Sequence, residues 1–201
     1  MNNLYDLEEL FCKFPGIGPK QAKRFVYFLL SSNDFFVEQL TNKIQALKQG
    51  VRSCQQCWHI FPQNYTDEKL CPICRDGSRE TYSLLLVARD IDLEHIEKVN
   101  VYHGLYFVLG GTIPILDKEP EKRIRLRQLL SYLAQNENIN EIILGLNATP
   151  EGEHTAKFVI DQLNALGKEI KISRLGRGLS TGTELEYSDK ETLKNALERR
   201  V

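Results

Sequence analysis

Cys54-Gln55-Gln56-Cys57 is followed, after thirteen intervening residues, by Cys71-Pro72-Ile73-Cys74. Two Cys-x-x-Cys pairs at this distance offer four thiolates to one ion, in the tetrahedral arrangement that structural zinc prefers. Each pair closes a tight knuckle with both sulfurs aimed at one point. The segment between, Trp58 to Leu70, is too short for an apolar core of its own, so a metal would supply its folding energy. Within it Asn64, Tyr65, Thr66 and Asp67 read as a turn. Two disulfides or four unrelated thiols are the other readings. Disulfides need an oxidising compartment, and nothing in the chain points to export. One Cys-x-x-Cys could form a redox pair, but two at this distance do not fit that role. The expectation is one structural Zn²⁺ per chain, held by Cys54, Cys57, Cys71 and Cys74. A closed four-sulfur shell leaves no open position for catalysis. His59 reads as a surface residue rather than a ligand.

The 201 residues are 42% hydrophobic and 26% charged, an ordinary globular composition with room for one large domain and a small one. A net charge of −1 excludes a polycation, so any nucleic-acid site must be a local patch. The opening MNNLYDLEEL lacks the basic and apolar regions of a signal peptide. No apolar run reaches membrane-spanning length, which argues against a membrane partner; the longest, around Leu84 to Ala88, is strand-sized. Five cysteines, four of them paired for metal, fit a reducing, cytoplasmic setting. The fifth, Cys12, follows Phe11 on a helical pattern and reads as a small core residue.

On the N-terminal side, Leu4, Leu7, Leu10 and Phe11 have helical spacing over residues 4 to 13. Phe14-Pro15-Gly16-Ile17-Gly18-Pro19-Lys20 then forms a hairpin turn, with Pro19 suited to the first turn of a second helix through Ala22, Phe25, Val26, Leu29 and Leu30. A third helix spans about 34 to 49 and stops at Gly50. On the C-terminal side the pattern alternates. Strands are expected at 82–88, 105–109, 141–146 and 170–173, and helices at 92–98, 121–135 and 154–166. This is the signature of a mostly parallel sheet with helices on both faces, an α/β fold. Glu184 to Tyr187 reads as a possible strand, and Ser188-Asp189-Lys190-Glu191 as a capping box opening a last helix to Arg199.

Four stretches could carry chemistry. At the Gly16-Ile17-Gly18 turn the backbone can approach a phosphate, beside Lys13, Lys20, Lys23 and Arg24, with no acid between Glu9 and Asp34. Such a site contacts backbone and not bases, so binding would be sequence-independent; an ordinary αα-turn is the alternative. Asn147 to Glu153 lies at the carboxyl end of the third strand, where parallel sheets place their sites, and Glu151 and Glu153 are candidate Mg²⁺ ligands. No acid ends the first strand to complete that site. Arg174-Leu175-Gly176-Arg177-Gly178 is glycine-rich and basic but matches neither the phosphate-loop nor the dinucleotide spacing, so no intrinsic ATPase is expected. Lys122, Arg123, Arg125 and Arg127 read as a solvated helix face, with DNA contact as the alternative. The four histidines show no catalytic pairing.

The order of these parts resembles the bacterial recombination mediator family RecR: the Phe14–Lys20 hairpin, four cysteines, Gly104 to Gly111, Glu151-Gly152-Glu153 before Thr155-Ala156, Arg174-Leu175-Gly176, and Leu185 to Asp189. The resemblance covers nearly the whole chain. It implies a helix-hairpin-helix DNA-binding domain at 1–51, a four-cysteine zinc finger at 52–77, a Toprim domain at 80–175, and a Walker B-like C-terminal segment and helix at 176–201. It further implies non-enzymatic DNA gap repair with RecO and RecF. Gly16, Gly18, Lys20, Lys23 and Arg24 would meet DNA, and Glu151 and Glu153 a partner such as RecO. Catalytic Toprim domains carry a Glu after the first strand and an Asp-x-Asp-x-x-Gly stretch after a later one. The corresponding positions here are Ala88, Asn147 and Thr149, which argues against a Toprim nuclease, primase or topoisomerase, the alternative reading. Assembly follows from affinity. One hairpin makes about two to four phosphate contacts and should bind only at roughly 10⁻⁴ to 10⁻⁶ M at physiological salt. Several hairpins on one DNA raise that by effective concentration. The family's dimers and ring-like tetramers would supply them. Leu4, Leu7, Phe11, Phe25, Phe28, Phe35 and Phe36 are more than three short helices bury, so a homodimer or a clamp-like tetramer joined partly through residues 1 to 50 is expected; packing on the zinc module of the same chain is the alternative.

Overall fold

The computed structural model describes residues 3–47, 49–63, 69–176, 178, 179, 182 and 184–198. The turn expected over Asn64 to Asp67, Arg177 and the helix end at Arg199 lie outside them. The chain divides into two compact units, Met1–Val51 and Arg52–Val201.

The first unit is helical: α1 (Asn3–Cys12), α2 (Pro19–Ser31) and α3 (Asp34–Leu47). α1 and α2 pack as a hairpin, with the Phe11 ring edge-on to Phe25 at 5.5 Å and Ala22 and Val26 buried. Cys12 is exposed, not a core residue. Neighbouring helix positions point about 100° apart, so Phe11 facing α2 turns Cys12 outward. The Asn33 Oδ1 accepts from the Phe36 N–H at 2.8 Å and starts α3. Both Gln49 and Gly50 donate to the Ala46 carbonyl and end it where the sequence places the stop.

The second unit opens with a two-stranded sheet of β1 (Val51–Ser53) and β2 (Ile60–Pro62), then the one-turn α4 (Pro72–Arg75). The remainder alternates: β3 (Glu80–Val87), α5 (Asp90–Val99), β4 (Gly104–Val108), α6 (Leu126–Gln135), β5 (Glu141–Gly145), α7 (Pro150–Asn164), β6 (Lys171–Arg174) and α8 (Lys190–Glu198). The four long strands form a parallel sheet in the order β4-β3-β5-β6. Leu85 pairs with Tyr106 on one side and Ile143 on the other. The twofold alternation sends Leu84, Leu86, Phe107, Ile142 and Leu144 to one face, under α6 and α7, and Leu85, Val87, Tyr106 and Val108 to the other, against Leu93 and Ile96 of α5. Both faces of the central strand are apolar, which is why β3 reads as a continuous run rather than an alternation.

Several element boundaries differ from the sequence expectation for local reasons. The helix expected from 121 begins at Leu126, preceded by a 3₁₀ turn at Pro120–Lys122. Its start is delayed because the Arg125 N–H donates to the Leu109 carbonyl at 2.8 Å, continuing the line of β4. α7 begins four residues before His154, because Thr149 caps it through the Gly152 N–H at 3.1 Å and Pro150 fits its first position. Residues Leu185–Tyr187 form a 3₁₀ turn and not a strand, closed by the Tyr187 N–H on the Glu184 carbonyl. The cap of α8 is Asp189, not Ser188: its carboxylate accepts from Thr192 N–H at 3.0 Å and Oγ1 at 2.7 Å. A carboxylate beside the positive helix end gains charge complementarity that a hydroxyl lacks.

Gly152 is buried in the first turn of α7, and a Cβ there would lie 2.0 Å from the Asn147 carbonyl oxygen. Gly152→Ala must therefore move backbone. It is expected to cost about 2 kcal/mol, seen as a melting temperature lowered by roughly 4–8 °C in calorimetry.

Candidate metal centre and nucleic-acid interface

The four cysteine sulfurs all lie within 4.8 Å of one another, with Cys57 and Cys71 Sγ atoms 3.5 Å apart. A tetrahedral site with metal–sulfur bonds near 2.3 Å puts sulfurs about 3.8 Å apart. Cys54, Cys57 and Cys71 are fully buried and Cys74 is half-buried. Contacts with the Cys54, Cys71 and Cys74 sulfurs, and then burial, hold the Cys57 thiol well above its usual range. Four thiolates this close together repel one another, and a shared cation removes that repulsion. Among the described residues this is the one cluster of three or more His, Cys, Asp or Glu side chains placed to hold a metal.

Local geometry sets the sulfurs. The Trp58 N–H closes the first knuckle on the Cys54 carbonyl at 3.1 Å, with Trp58 at φ +63°. Cys71 precedes α4 with Pro72 at its first position, and the Arg75 N–H returns to the Cys71 carbonyl at 3.1 Å. The Gln55 N–H donates to the Lys69 carbonyl at 3.0 Å, tying the two halves.

The module is fastened to the sheet at three points. The Val108 N–H donates to the Cys57 carbonyl at 2.8 Å. The Arg125 guanidinium lies over the Trp58 ring, 5.6 Å from its centroid. Asp90, at the start of α5, accepts from the Ile60 N–H at 2.7 Å and pairs with His59 Nδ1 at 3.0 Å. His59 is thus buried and partnered, contrary to the surface position expected for it. Burial opposes its charge, but the Asp90 hydrogen bond and charge outweigh this and raise its pKa. Burial likewise opposes ionisation of Asp90, yet His59 and the backbone N–H of Ile60 hold it below the usual carboxylate range. The first long strand still ends without an acid at Val87; Asp90, two residues beyond Ala88, opens α5 and is committed to this clasp. Asp90, Trp58 and Arg125 carried no motif; only an acid just past an apolar run hinted at the first.

In the first unit, Gly16 has φ +76°, which favours glycine, whereas Gly18 has φ −91°. A Cβ on either would meet nothing within 4 Å. Internal packing therefore gives no reason for the bare backbone at Gly18, the residue before Pro19 at the head of α2. Lys13, Lys20, Lys23 and Arg24 are all exposed around it. Lys23 extends over the Tyr27 ring at 6.0 Å, and Arg24 reaches Gln21 at 3.5 Å. No acid lies in the first turn of α2. A bare turn, a helix N-terminus and four cations thus lie together within one short stretch, the features that a phosphate-binding surface needs.

At the strand ends of the second unit, Ala88 is buried and Thr149 is occupied as a cap. Glu151 and Glu153 lie in the first turn of α7, not in a loop, and diverge: Glu151 accepts from Thr112 Oγ1 at 3.3 Å, and Glu153 pairs with Arg174 at 2.8 Å. They do not meet around one ion. The basic run from Lys122 is no helix face either, because it precedes and enters α6: Lys122 pairs with Glu119, Arg123 with Asp117, and Arg125 points inward to the Val108 carbonyl.

Comparison with known proteins accounts for this order of parts. Residues 4–48 match the family described as RecR, helix-hairpin-helix, residues 83–176 match the Toprim domain, and residues 178–201 match RecR, C-terminal. Proteins named recombination protein RecR from Dehalococcoides mccartyi strain 195, Lacticaseibacillus casei and Streptococcus mutans are 39%, 37% and 38% identical to it. The alignments cover 94%, 97% and 97% of this chain and 88%, 94% and 94% of those proteins. The chain belongs to the RecR family. The RecR helix-hairpin-helix match contains the whole basic turn, and the Toprim match contains the parallel sheet except the first three residues of β3. The RecR C-terminal match begins where β6 has ended and includes α8. Among the described residues, no helix is long and apolar enough to cross a membrane.

The cysteine cluster is expected to bind one divalent metal per chain. Cys57→Ser or Cys71→Ser should abolish that stoichiometry and lower the melting temperature more than Gly152→Ala does, since structural metal sites contribute on the order of 10 kcal/mol. Metal analysis after purification without chelator, with thermal unfolding alongside, checks both.

Proposed function

We propose that this chain is a non-enzymatic, DNA-binding mediator of recombinational repair, acting in gap repair with RecO and RecF as an oligomeric clamp. The observation that carries the reading is the exposed Gly16–Gly18 turn with Lys20, Lys23 and Arg24 around the head of α2. Bare backbone and flexible cations bind phosphate without reading bases, as a protein acting at gaps of any sequence requires. The relatives named recombination proteins support the process, and the four-cysteine cluster supports a structural Zn²⁺. In this reading 1–51 is the DNA-binding domain, 52–77 the zinc finger, 80–175 the Toprim domain and 176–201 the C-terminal segment.

Two features favour a mediator over a Toprim-type nuclease, primase or topoisomerase. Ala88, Asn147 and Thr149 supply no carboxylate at the strand ends, and Glu151 and Glu153 turn to separate partners. The pair instead offers acidic contact surface to a partner such as RecO. A clamp is supported by the first unit's apolar surface: Phe28, Leu30, Phe35, Ile44 and Leu47 are each more than half exposed. A homodimer or tetramer joined there would cover them and set several hairpins on one DNA.

Lys20→Glu with Arg24→Glu is expected to weaken binding to every DNA sequence alike, and to flatten the dependence of log K on log salt by about 2. Anisotropy titrations at several salt concentrations measure this; unchanged affinity would make the hairpin purely structural. Parallel incubations with Mg²⁺ or Mn²⁺ should return the DNA uncut. Nicking that disappears in Glu151→Gln would instead establish the enzyme.

A further inference from the structure

We propose that the cleft over the carboxyl end of β4, lined by Lys118, Lys122, Arg123, Arg125 and Arg127, is a second binding surface for the phosphate backbone of nucleic acid. It lies wholly within the second unit, rests on the DNA-binding reading above, and extends it to the Toprim sheet.

The cleft has a volume of about 710 Å³, and its wall includes Leu109 and Gly110. Five cations line it against two acids, Glu119 and Glu121. Lys122 pairs with Glu119 and Arg123 with Asp117, both at 2.5 Å, and each cation is more than half exposed. The Lys122–Glu119 pair is exposed on both sides, and pairs of this kind are weak and exchange readily for a phosphate, whereas Arg123 is held by the largely buried Asp117 carboxylate. Among the described residues Lys118 and Arg127 have no ion pair. Arg125 plays a different part. Its guanidinium is fixed by the Val108 carbonyl at 3.0 Å and the Trp58 ring, and it lies so close to Gly110 that a Cβ there would come within 3.1 Å of Cζ. It is a pre-positioned charge that loses little freedom on binding.

The cations are also placed where the backbone alone would not want them. α6 starts in this cleft with Arg125 as its cap residue, Arg127 in its first turn, no acid in that turn and no side-chain cap. Cations at the positive end of a helix oppose its dipole, and an anion between them reverses the sign of that interaction. The shape then selects the anion. The cleft is open rather than enclosing, so it cannot bury a small ligand as nucleotide pockets do. Long flexible side chains along an open, polar groove suit a run of phosphates.

The test uses full-length protein and Lys118→Gln with Arg127→Gln, which leave Arg125, Trp58 and the cysteines untouched. Metal content and thermal unfolding should match the unmodified chain, and Lys118→Arg with Arg127→Lys should bind normally. With a single-stranded oligothymidylate, the neutralised variant should bind on the order of tenfold more weakly, and its log K–log salt slope should be shallower by about 1.4, two contacts at ~0.7 each. Unchanged affinity and slope in the folded variant overturn the proposal. So does saturable binding of inorganic pyrophosphate or polyglutamate that needs Lys118 and Arg127 while DNA binding does not. Lys20→Glu with Arg24→Glu, alone and combined with the cleft variant, separates the two surfaces. Loss only with the hairpin variant removes the cleft and leaves the hairpin; loss only with the cleft variant supports the cleft and removes the hairpin; a combined loss larger than either supports both.

Discussion

Four cysteine sulfurs lie within 4.8 Å of one another at the start of the second unit. They cannot all be thiolates without a shared cation, and the knuckle backbone that gathers them is closed by its own hydrogen bonds. That conformation delivers the Cys57 carbonyl to the Val108 N–H, the Trp58 ring to Arg125 and His59 to Asp90. The module therefore fixes the edge strand β4 and the start of α5 at once. The groups that dock are Cys57 itself and the three residues that follow it, so the geometry of that one knuckle is transmitted directly to the sheet.

The carboxyl ends of the parallel strands, where such folds usually place catalysis, are given to structure instead. Asp90 serves the clasp to β2, Thr149 caps α7, and Glu151 and Glu153 diverge to Thr112 and Arg174. Gly152 lies where the Asn147 carbonyl would collide with any side chain, so this corner is set by backbone packing. Beside β4, a cation-lined cleft stays open at these ends.

A chain of net charge −1 can still bind a polyanion if its cations are sorted by place. The head of α2 gathers Lys13, Lys20, Lys23 and Arg24 with no acid between Glu9 and Asp34, while α3 begins with Asp34. The same unit leaves most of its aromatic and aliphatic side chains in solvent and buries only Ala22 and Val26 among its described residues. A helical unit with so small a core gains stability from any contact that covers that surface.

The sequence by itself determined the parts. Cysteine spacing marked the metal cluster, glycines and prolines at 15 to 19 marked the hairpin, and apolar periodicity marked the parallel sheet. These signals are local: each depends on residues within a turn or two, and a side-chain period survives in one dimension. Tertiary structure alone decided the rest. His59 became a buried partner because Asp90, 31 residues away, reached it. Arg125 left its helix because Leu109 took its N–H, and Arg123 joined Asp117 rather than solvent. Cys12 turned outward because Phe11 had the inward place. Each outcome depends on which group arrives from another element, and pairings made across space leave no period in the chain.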